Sequence, residues 1–347
     1  METIRFGILG CGLAAGFHAS AIRAAEGASL AAVCDVSLPR AEAFAAEYGC
    51  AAYGDVQAFA ADPEIDAVCV CTPSGYHAEN AVVLLRAGKH LLIEKPLAVN
   101  EAQAKAVLDA AKESERTVGV VSQLRCCPDV RQLKELIASG ALGRPVSAQL
   151  SMIYHRDEAY YKNSAWHGTL ALDGGGALIN QGIHGVDLLL WMLGRVKRVS
   201  AAKATLRHTI EAEDTLAALL EFESGCLCTL SAATSVAHGQ PRTLTVFGTK
   251  GSAVLTEDKL TSLVTEEGGQ TIENAESAYL SHNDPGAIPP EAHRNVIRDF
   301  CNALNEGRRP ISDGVDGYNA LALINAAYAA AELGPQTPVF MGREETV

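Results

Sequence analysis

Ile4-Arg5-Phe6-Gly7-Ile8-Leu9-Gly10-Cys11-Gly12-Leu13-Ala14-Ala15 is the run that decides the fold. Its first six residues form an apolar, β-rich stretch, and an alanine-rich helical pattern runs from Ala14 to Ala25. Two glycines one residue apart join them. The first permits a tight strand-to-helix turn. The second lets another group approach the backbone at a helix N-terminus, where free N–H groups carry partial positive charge. Ala15 takes the third position of the pattern, where a small residue lets helix and strand pack closely. A turn of this kind is suited to a pyrophosphate. Asp35 closes the next β-rich run, Ser29–Cys34, twenty residues past Ala15. A carboxylate there accepts hydrogen bonds from a ribose and repels a 2′-phosphate, so the spacing predicts NAD, with NADP disfavoured. Arg40 is near enough in sequence to soften that preference. Gly10, Gly12, Leu13, Ala14, Asp35 and Arg40 are the first cofactor-binding candidates.

Outward from this turn the same alternation continues. Further β-rich runs fall at Ala67–Cys71, His90–Ile93 and Thr117–Val121, with helical stretches at Pro39–Tyr48, Tyr76–Ala87 and Glu101–Glu115. Near-continuous apolar strands alternating with helices predict a parallel sheet covered on both faces. A helix over Pro128–Ser139 stops at Gly140, and Gly143-Arg144-Pro145 opens a different pattern. Strands are predicted at Val146–His155, Val196–Leu206, Thr215–Glu223, Cys226–Ser235, Arg242–Gly248 and Ser252–Thr256. Helices are predicted at Gly176–Leu193, Glu291–Asn305 and Asp316–Leu333, and Glu266–Pro290 reads as loop. Strands in succession with few helices suggest an open, mostly antiparallel sheet with helices on one face. The expected organisation is an α/β chain with a Rossmann domain over 1–124 and a second α/β domain over 125–347.

Composition narrows the function classes. At 347 residues, two domains are expected, each able to bury a core. The net charge of −13 argues against nucleic-acid or anionic-membrane partners. The most apolar run, Ala320–Ala331, is too short to span a bilayer, and the chain opens without a cleavable export segment. A cytoplasmic location is the expectation. Ten cysteines in such a chain read as reduced structural thiols.

Three further motifs carry chemistry. Cys71-Thr72-Pro73-Ser74-Gly75-Tyr76-His77 leaves a strand at the carboxyl edge of the sheet, where open α/β sheets bind ligands. Taken alone, His77 reads as a capping or surface histidine. Glu94-Lys95-Pro96 ends the His90–Ile93 strand at the same edge. It reads either as a surface ion pair or as a lysine aimed at a substrate hydroxyl. In Asp173-Gly174-Gly175-Gly176-Ala177-Leu178-Ile179-Asn180-Gln181-Gly182-Ile183-His184-Gly185-Val186-Asp187, the glycines let the backbone come close to another group. The helix that follows puts Asn180, His184 and Asp187 at i, i+4 and i+7, on one face. This is a catalytic constellation or a satisfied core network; two possible ligands are too few for a metal. Ahead of it, Tyr154, Arg156, Tyr160, Tyr161, Trp166 and His167 gather much of the aromatic content, which is what a sugar ring needs or what an ordered loop packs on itself. Gln123, just past the Thr117–Val121 strand, completes the cofactor-binding candidates with Thr72, Pro73, His77, Glu94 and Lys95.

Taken in this order, these motifs resemble the glucose–fructose oxidoreductase/inositol dehydrogenase/rhizopine-catabolism (Gfo/Idh/MocA) family of NAD(P)-dependent oxidoreductases. The resemblance spans nearly the whole chain: the Gly-Cys-Gly turn with His18 behind it, Thr72-Pro73 with His77, Glu94-Lys95-Pro96, the glycine run with His184 and Asp187, and the ending from His293 to Leu333. It implies that Lys95 and His184 are the catalytic pair and that the chain forms a homodimer or homotetramer. The family's helix often carries an aspartate where this chain has Asn180, and an amide cannot relay a proton. Asn180-Gln181 is more similar to a branch associated with sugar-nucleotide or amino-sugar-uronate oxidation.

The resulting expectation is reversible oxidation of a secondary hydroxyl on a sugar, polyol or sugar derivative, in a site between the two domains. His184 would accept the hydroxyl proton, Lys95 would steady the oxygen, and Asn180 would position substrate or His184. Tyr154, Arg156 and Trp166 would line the substrate, and no metal is needed. Two alternatives stand beside it: an enzyme that retains and recycles NAD for epimerisation or glycoside cleavage through a transient ketone, and a non-catalytic dinucleotide-binding regulator.

Overall fold

The structure is a computed structural model that describes residues 2–266, 268–271, 282–284, 286, 289–334 and 336–341. The chain divides into two compact units, one from Met1–Cys126 with Pro289–Tyr318, the other from Cys127–Ile288 with Asn319–Val347.

In the first unit the Gly-x-Gly turn joins β1 (Ile4–Leu9) to α1 (Leu13–Ala24). There follow β2 (Ala28–Cys34), α2 (Leu38–Tyr48), β3 (Ala51–Tyr53), α3 (Val56–Ala61), β4 (Ala67–Val70), α4 (His77–Arg86), β5 (His90–Ile93), α5 (Glu101–Ser114) and β6 (Val118–Val120). All six strands pair in parallel, in the order β3-β2-β1-β4-β5-β6. This is the doubly wound order, whose switch point between β1 and β4 opens a crevice at the strands' carboxyl ends. Every residue of β4 is buried, as a strand covered on both faces requires. The sequence reading omitted β3 and α3. A three-residue edge strand and a six-residue helix are too short to show a period. Their presence explains Gly7: a Cβ there would lie 2.4 Å from the buried ring of Phe59 on α3.

The second unit opens with α6 (Pro128–Ala138), β7 (Pro145–Ile153) and α7 (Glu158–Lys162). The single helix expected over Gly176–Leu193 is instead a π-helical turn, Ala177–Gly182, running into α8 (Ile183–Leu193). The wider π turn carries Asn180, so the strict i, i+4, i+7 alignment with His184 and Asp187 does not hold over its whole length. Strands β8 (Val196–Ala204), β9 (Thr215–Phe222), β10 (Leu227–Ala233), β11 (Thr243–Gly248), β12 (Gly251–Thr256), β13 (Lys259–Thr265) and β14 (Gly268–Thr271) follow. β14 lies inside the stretch read as loop, most of whose remainder is outside the described residues.

The chain then returns as α9 (Pro290–Glu306), α10 (Gly314–Leu333) and β15 (Val339–Phe340). One division after Leu124 would assign all of this to the second domain. The structure returns α9 to the first unit, where Val296, Ile297, Phe300 and Cys301 join the core formed by Phe6, Ile8, Ile22 and Val33. Gly119 of β6 makes room for it, since a Cβ there would meet the Phe300 ring at 3.0 Å. An amphipathic period shows that a helix covers something, but not which sheet it covers.

The second sheet has the order β14-β13-β12-β11-β7-β10-β9-β8-β15. Within this sheet, among its described strands, only β7 and β10 pair in parallel, so it is mostly antiparallel, as expected. Its strands alternate between a buried and an exposed face. Leu216, Leu220, Phe222, Cys228 and Leu230 are buried, while Leu219 is 51 % and Leu227 49 % exposed. No helix among the described residues is long and apolar enough to cross a membrane.

Candidate active site

Gly10 takes a φ of +94°, and a Cβ on it would lie 2.8 Å from the Cys71 carbonyl oxygen, so the turn and the end of β4 require glycine here. Gly12 caps α1 without a side-chain hydrogen bond, and the first turn of α1 holds no acid. A Cβ built on Gly12 would meet no described atom within 4 Å. Gly12 and Leu13 are exposed and Ala14 half-buried at this helix end, so the backbone here is open to approach. Asp35 is buried at the end of β2. Its Oδ2 accepts the Cys11 N–H at 3.0 Å and its Oδ1 the Ser37 N–H at 2.9 Å. Arg40 reaches it at 3.4 Å from a mostly exposed side chain. A cradle with an uncapped helix end, no side chain at Gly12 and a carboxylate beside it fits a dinucleotide.

At the carboxyl ends of β4 and β5 the side chains face inward. His77 is 1 % exposed, with Nδ1 at 2.7 Å from the Pro96 carbonyl oxygen and Nε2 at 2.8 Å from that of Thr72. It is neither the surface residue that its motif alone suggested nor a side chain open to ligand; it ties two edge loops together. Burial lowers its pKa. The two carbonyls and the Glu94 charge oppose that shift. Glu94 also faces inward, to Nε2 of His18 at 2.8 Å and of His293 at 3.7 Å. Lys95 and the Thr72-Pro73 pair are half-buried at this edge, and Gln123 is buried beyond β6. The partnership of Glu94 with His293 was not legible beforehand, because it depends on the return of α9.

The second unit holds the other candidates in one hydrogen-bonded chain. The Asn180 amide donates to Asp173 Oδ1 at 2.7 Å, and its carbonyl oxygen accepts from Gln181 at 2.7 Å and from the Tyr160 hydroxyl at 3.3 Å. Gln181 Oε1 accepts from Arg156 Nη2 at 2.7 Å. Arg156 is 2 % exposed, lies between the rings of Tyr154 and Tyr160, and donates to the His155 carbonyl oxygen at 2.6 Å. These contacts make it a brace for the loop as well as a charge. Tyr160 stacks on His167 with ring centroids 4.3 Å apart, and Trp166 packs on the same histidine at 4.1 Å. His184 is half-buried at the second position of α8, and Asp187 is buried one turn on.

The group that the glycine run approaches is Glu213. A Cβ on Gly176 would fall 1.7 Å from its carbonyl oxygen, and one on Gly175 would fall 2.4 Å from the Tyr328 hydroxyl. The Glu213 carboxylate accepts the Gly176 and Leu178 N–H groups at 2.9 and 2.8 Å and the Tyr328 hydroxyl at 3.0 Å. It satisfies N–H groups that begin the π turn. Burial raises its pKa against these hydrogen bonds. Glu213 and Asp173 were not singled out in the sequence as functional. An acid pair, Glu213-Asp214, at the head of an apolar strand was the available signal.

A Gly-x-Gly turn at the switch point of a doubly wound parallel sheet, with a buried acid at the end of β2, defines a dinucleotide-binding unit. The comparisons make this specific. Residues 4–122 match the oxidoreductase family with an NAD-binding Rossmann fold, and residues 130–254 match the GFO/IDH/MocA C-terminal domain. The chain belongs to the GFO/IDH/MocA family of NAD-binding oxidoreductases. It is 28 % identical over 336 residues to inositol 2-dehydrogenase of Rhizobium meliloti, covering 94 % of this chain and 96 % of that one. It is 28 % identical to D-glucoside 3-dehydrogenase of Escherichia coli, covering 95 % and 96 %. Among solved structures, the WlbA dehydrogenase from Bordetella pertussis in complex with NADH and UDP-GlcNAcA is 28 % identical. It superposes with a TM-score of 0.87 over 99 % of this chain and 100 % of that one.

Proposed function

We propose that this protein is an NAD-dependent dehydrogenase that reversibly oxidises a secondary hydroxyl of a sugar, polyol or sugar derivative. One observation carries the reading: the cradle of Gly10, Gly12 and Asp35 occurs in one chain with Lys95 at the carboxyl end of β5 and His184 on α8, in a family whose relatives along the full length are named as sugar and polyol dehydrogenases. The N-terminus of α1 would hold a pyrophosphate, and Asp35 would accept hydrogen bonds from ribose hydroxyls. Bound NAD supplies the hydride acceptor. A ring nitrogen of His184 takes the hydroxyl proton, and the Lys95 Nζ ammonium steadies the negative charge that develops on the oxygen. Asn180, oriented by Asp173 and Gln181, positions the substrate hydroxyls. Half-buried Trp166 offers a ring face to the sugar, while Tyr154 and Arg156, buried as they are, act by bracing the loop.

The substrate class is tested by thermal shift with NAD present, because a ligand that binds the folded state raises the midpoint. The probes are myo-inositol, a glucoside and UDP-GlcNAcA. UDP-GlcNAcA is included because the Bordetella enzyme binds it and because Asn180-Gln181 resembles the sugar-nucleotide branch. The expected result is a stabilising compound that also drives NADH accumulation. Tight NAD binding with no turnover of any probe would favour the regulator, and turnover without net NADH would favour the recycling enzyme.

The same reading assigns the protein to the cytoplasm as a homodimer or homotetramer. By strand register, Leu219, Leu227, Phe247, Val264 and Phe340 line one face of the second sheet, and each is exposed by 37 % or more. A row of large apolar side chains on one sheet is a surface that a second copy covers. Light scattering showing only a 36.5 kDa species at micromolar concentration would refute the assembly.

A further inference from the structure

Glu94 is a buried carboxylate to which the mechanism above assigns no task. It immediately precedes Lys95, and 14 % of its side chain is exposed. Its Oε1 lies 2.8 Å from Nε2 of His18 on α1 and 3.7 Å from Nε2 of His293 on α9. Its Oε2 accepts the Lys95 backbone N–H at 3.3 Å. His18 and His293 are 1 % and 5 % exposed and meet edge to face at 5.3 Å. Two helices far apart in sequence thus each bring a buried histidine to one carboxylate.

Two histidines and a glutamate are also a ligand set for a divalent ion, and the distances argue against that use. Ligands at ~2.0–2.1 Å from a tetrahedral zinc stand about 3.3 Å from one another. His18 Nε2 and Glu94 Oε1 are closer, at hydrogen-bond distance. The other nitrogen of His18, Nδ1, is buried with no hydrogen-bond partner among the described residues. An imidazolium would strand a second N–H there, so the geometry favours the neutral ring with its proton on Nε2. A neutral His18 donates a hydrogen bond to Glu94 without itself cancelling the charge. Burial pushes the Glu94 pKa up, but the hydrogen bond from His18 and the close approach of His293 outweigh it and hold the group below the ordinary carboxylate range. Cys69 and Cys71, neutral thiols raised by burial, and His77 also feel the Glu94 charge, and Lys95 follows it directly in sequence. Past Lys95, the Pro96 carbonyl oxygen is held by His77 at 2.7 Å.

We infer that His18 and His293 are positioning residues for Lys95: they hold Glu94 as an anion whose Oε2 fixes the Lys95 main chain and whose charge keeps the Lys95 side chain an ammonium. This rests on the reading of Lys95 as the group that steadies the substrate oxygen. A neighbouring anion favours the protonated amine, and an amine reacts with acylating agents only when deprotonated.

The test needs no substrate. The full-length protein with NAD is exposed to acetic anhydride at fixed pH, and acetylation of Lys95 is followed by peptide mass spectrometry. Glu94→Gln keeps the shape and removes the charge, and is expected to make Lys95 acetylate about tenfold faster, the change that one pKa unit of lost interaction produces. His18→Leu removes the hydrogen bond to Glu94 and His293→Leu the neighbouring imidazole, and each shifts the rate the same way by severalfold. His18→Gln, whose amide can donate, restores it. A urea midpoint close to that of the wild type reports an intact fold. If either leucine variant fails to fold, Glu94→Gln carries the test. Unchanged Lys95 acetylation in Glu94→Gln with the urea midpoint intact overturns the inference. So does stoichiometric zinc in the wild type that is lost in His18→Leu. A Lys95→Ala enzyme with full turnover would instead sink the mechanism and leave the acetylation result standing, so the two failures are distinguishable.

Discussion

The two units spend glycine in opposite ways. In the first, Gly12 leaves space that no described atom fills, at a helix end without a cap. In the second, Gly176 removes space, because the Glu213 main chain occupies the position of a Cβ. Both stretches read in sequence as places where the backbone is approached closely. The difference is in what approaches. At Gly12 the proposed function would bring a ligand, and at Gly176 it is the protein itself. A glycine-rich stretch beside candidate catalytic residues is therefore not by itself a binding loop; the cavity it leaves, or fails to leave, separates the two cases.

The largest expected effect tests whether the candidate residues of the two units serve one reaction. Lys95→Ala in the first and His184→Ala in the second should each lower kcat by ~10²–10⁴-fold with NAD affinity nearly unchanged. His184→Ala should also remove the acid limb of the pH–rate profile, which lies at roughly pH 6–7 for an unperturbed imidazole. A variant that keeps more than about a third of the wild-type kcat would break the pairing.

The glycines come next. Gly176→Ala forces a methyl against the Glu213 carbonyl and should cost at least ~1–3 kcal/mol, read as a lower midpoint in urea. Gly12→Ala should leave the unfolding free energy measured in urea within about 0.5 kcal/mol of wild type and weaken NAD binding instead. Equal stability losses in both would erase the contrast.

Asp214, next to Glu213, sharpens it further. Its carboxylate accepts the N–H groups of Leu206, Arg207 and His208 at 2.8–3.0 Å. Burial pushes its pKa up, but these hydrogen bonds outweigh that and hold it below the ordinary value of 3.8. A carboxylate depressed on folding contributes stability that is full above its unfolded pKa and is lost as pH falls through the folded one. Asp214→Asn should therefore cost ~1–3 kcal/mol near neutral pH. The gap from wild type should narrow below about pH 4 in urea titrations.

The smallest effect is on cofactor choice. Asp35→Ser should shift the ratio of kcat/KM for NAD and NADP toward NADP by about tenfold, roughly 1.4 kcal/mol. Arg40, already within 3.4 Å of Asp35, would be released toward the 2′-phosphate. No shift would mean that Asp35 only braces the Cys11 and Ser37 N–H groups.

The parallel sheet was legible because its signal is local. Strands buried on both faces are continuous apolar runs, and the turn chemistry of Gly10-Cys11-Gly12 lies within a few residues of the strand it follows. Lys95, His184 and Asn180 could be singled out for the same reason, as polar residues interrupting apolar patterns. What lay beyond the sequence depends on which distant segments meet. The face of α9 has a clear period, yet its packing on the first sheet rests on Phe300 finding the gap at Gly119. The π turn at Ala177–Gly182 has no local signature; it follows from where the backbone docks on Glu213 and Tyr328. The partners of Glu94 are 76 residues before it, in His18, and in the returning helix, in His293. Composition and periodicity report each residue's own environment. Hydrogen-bond partners and backbone close approach belong to pairs of residues, and only the folded chain selects the pairs.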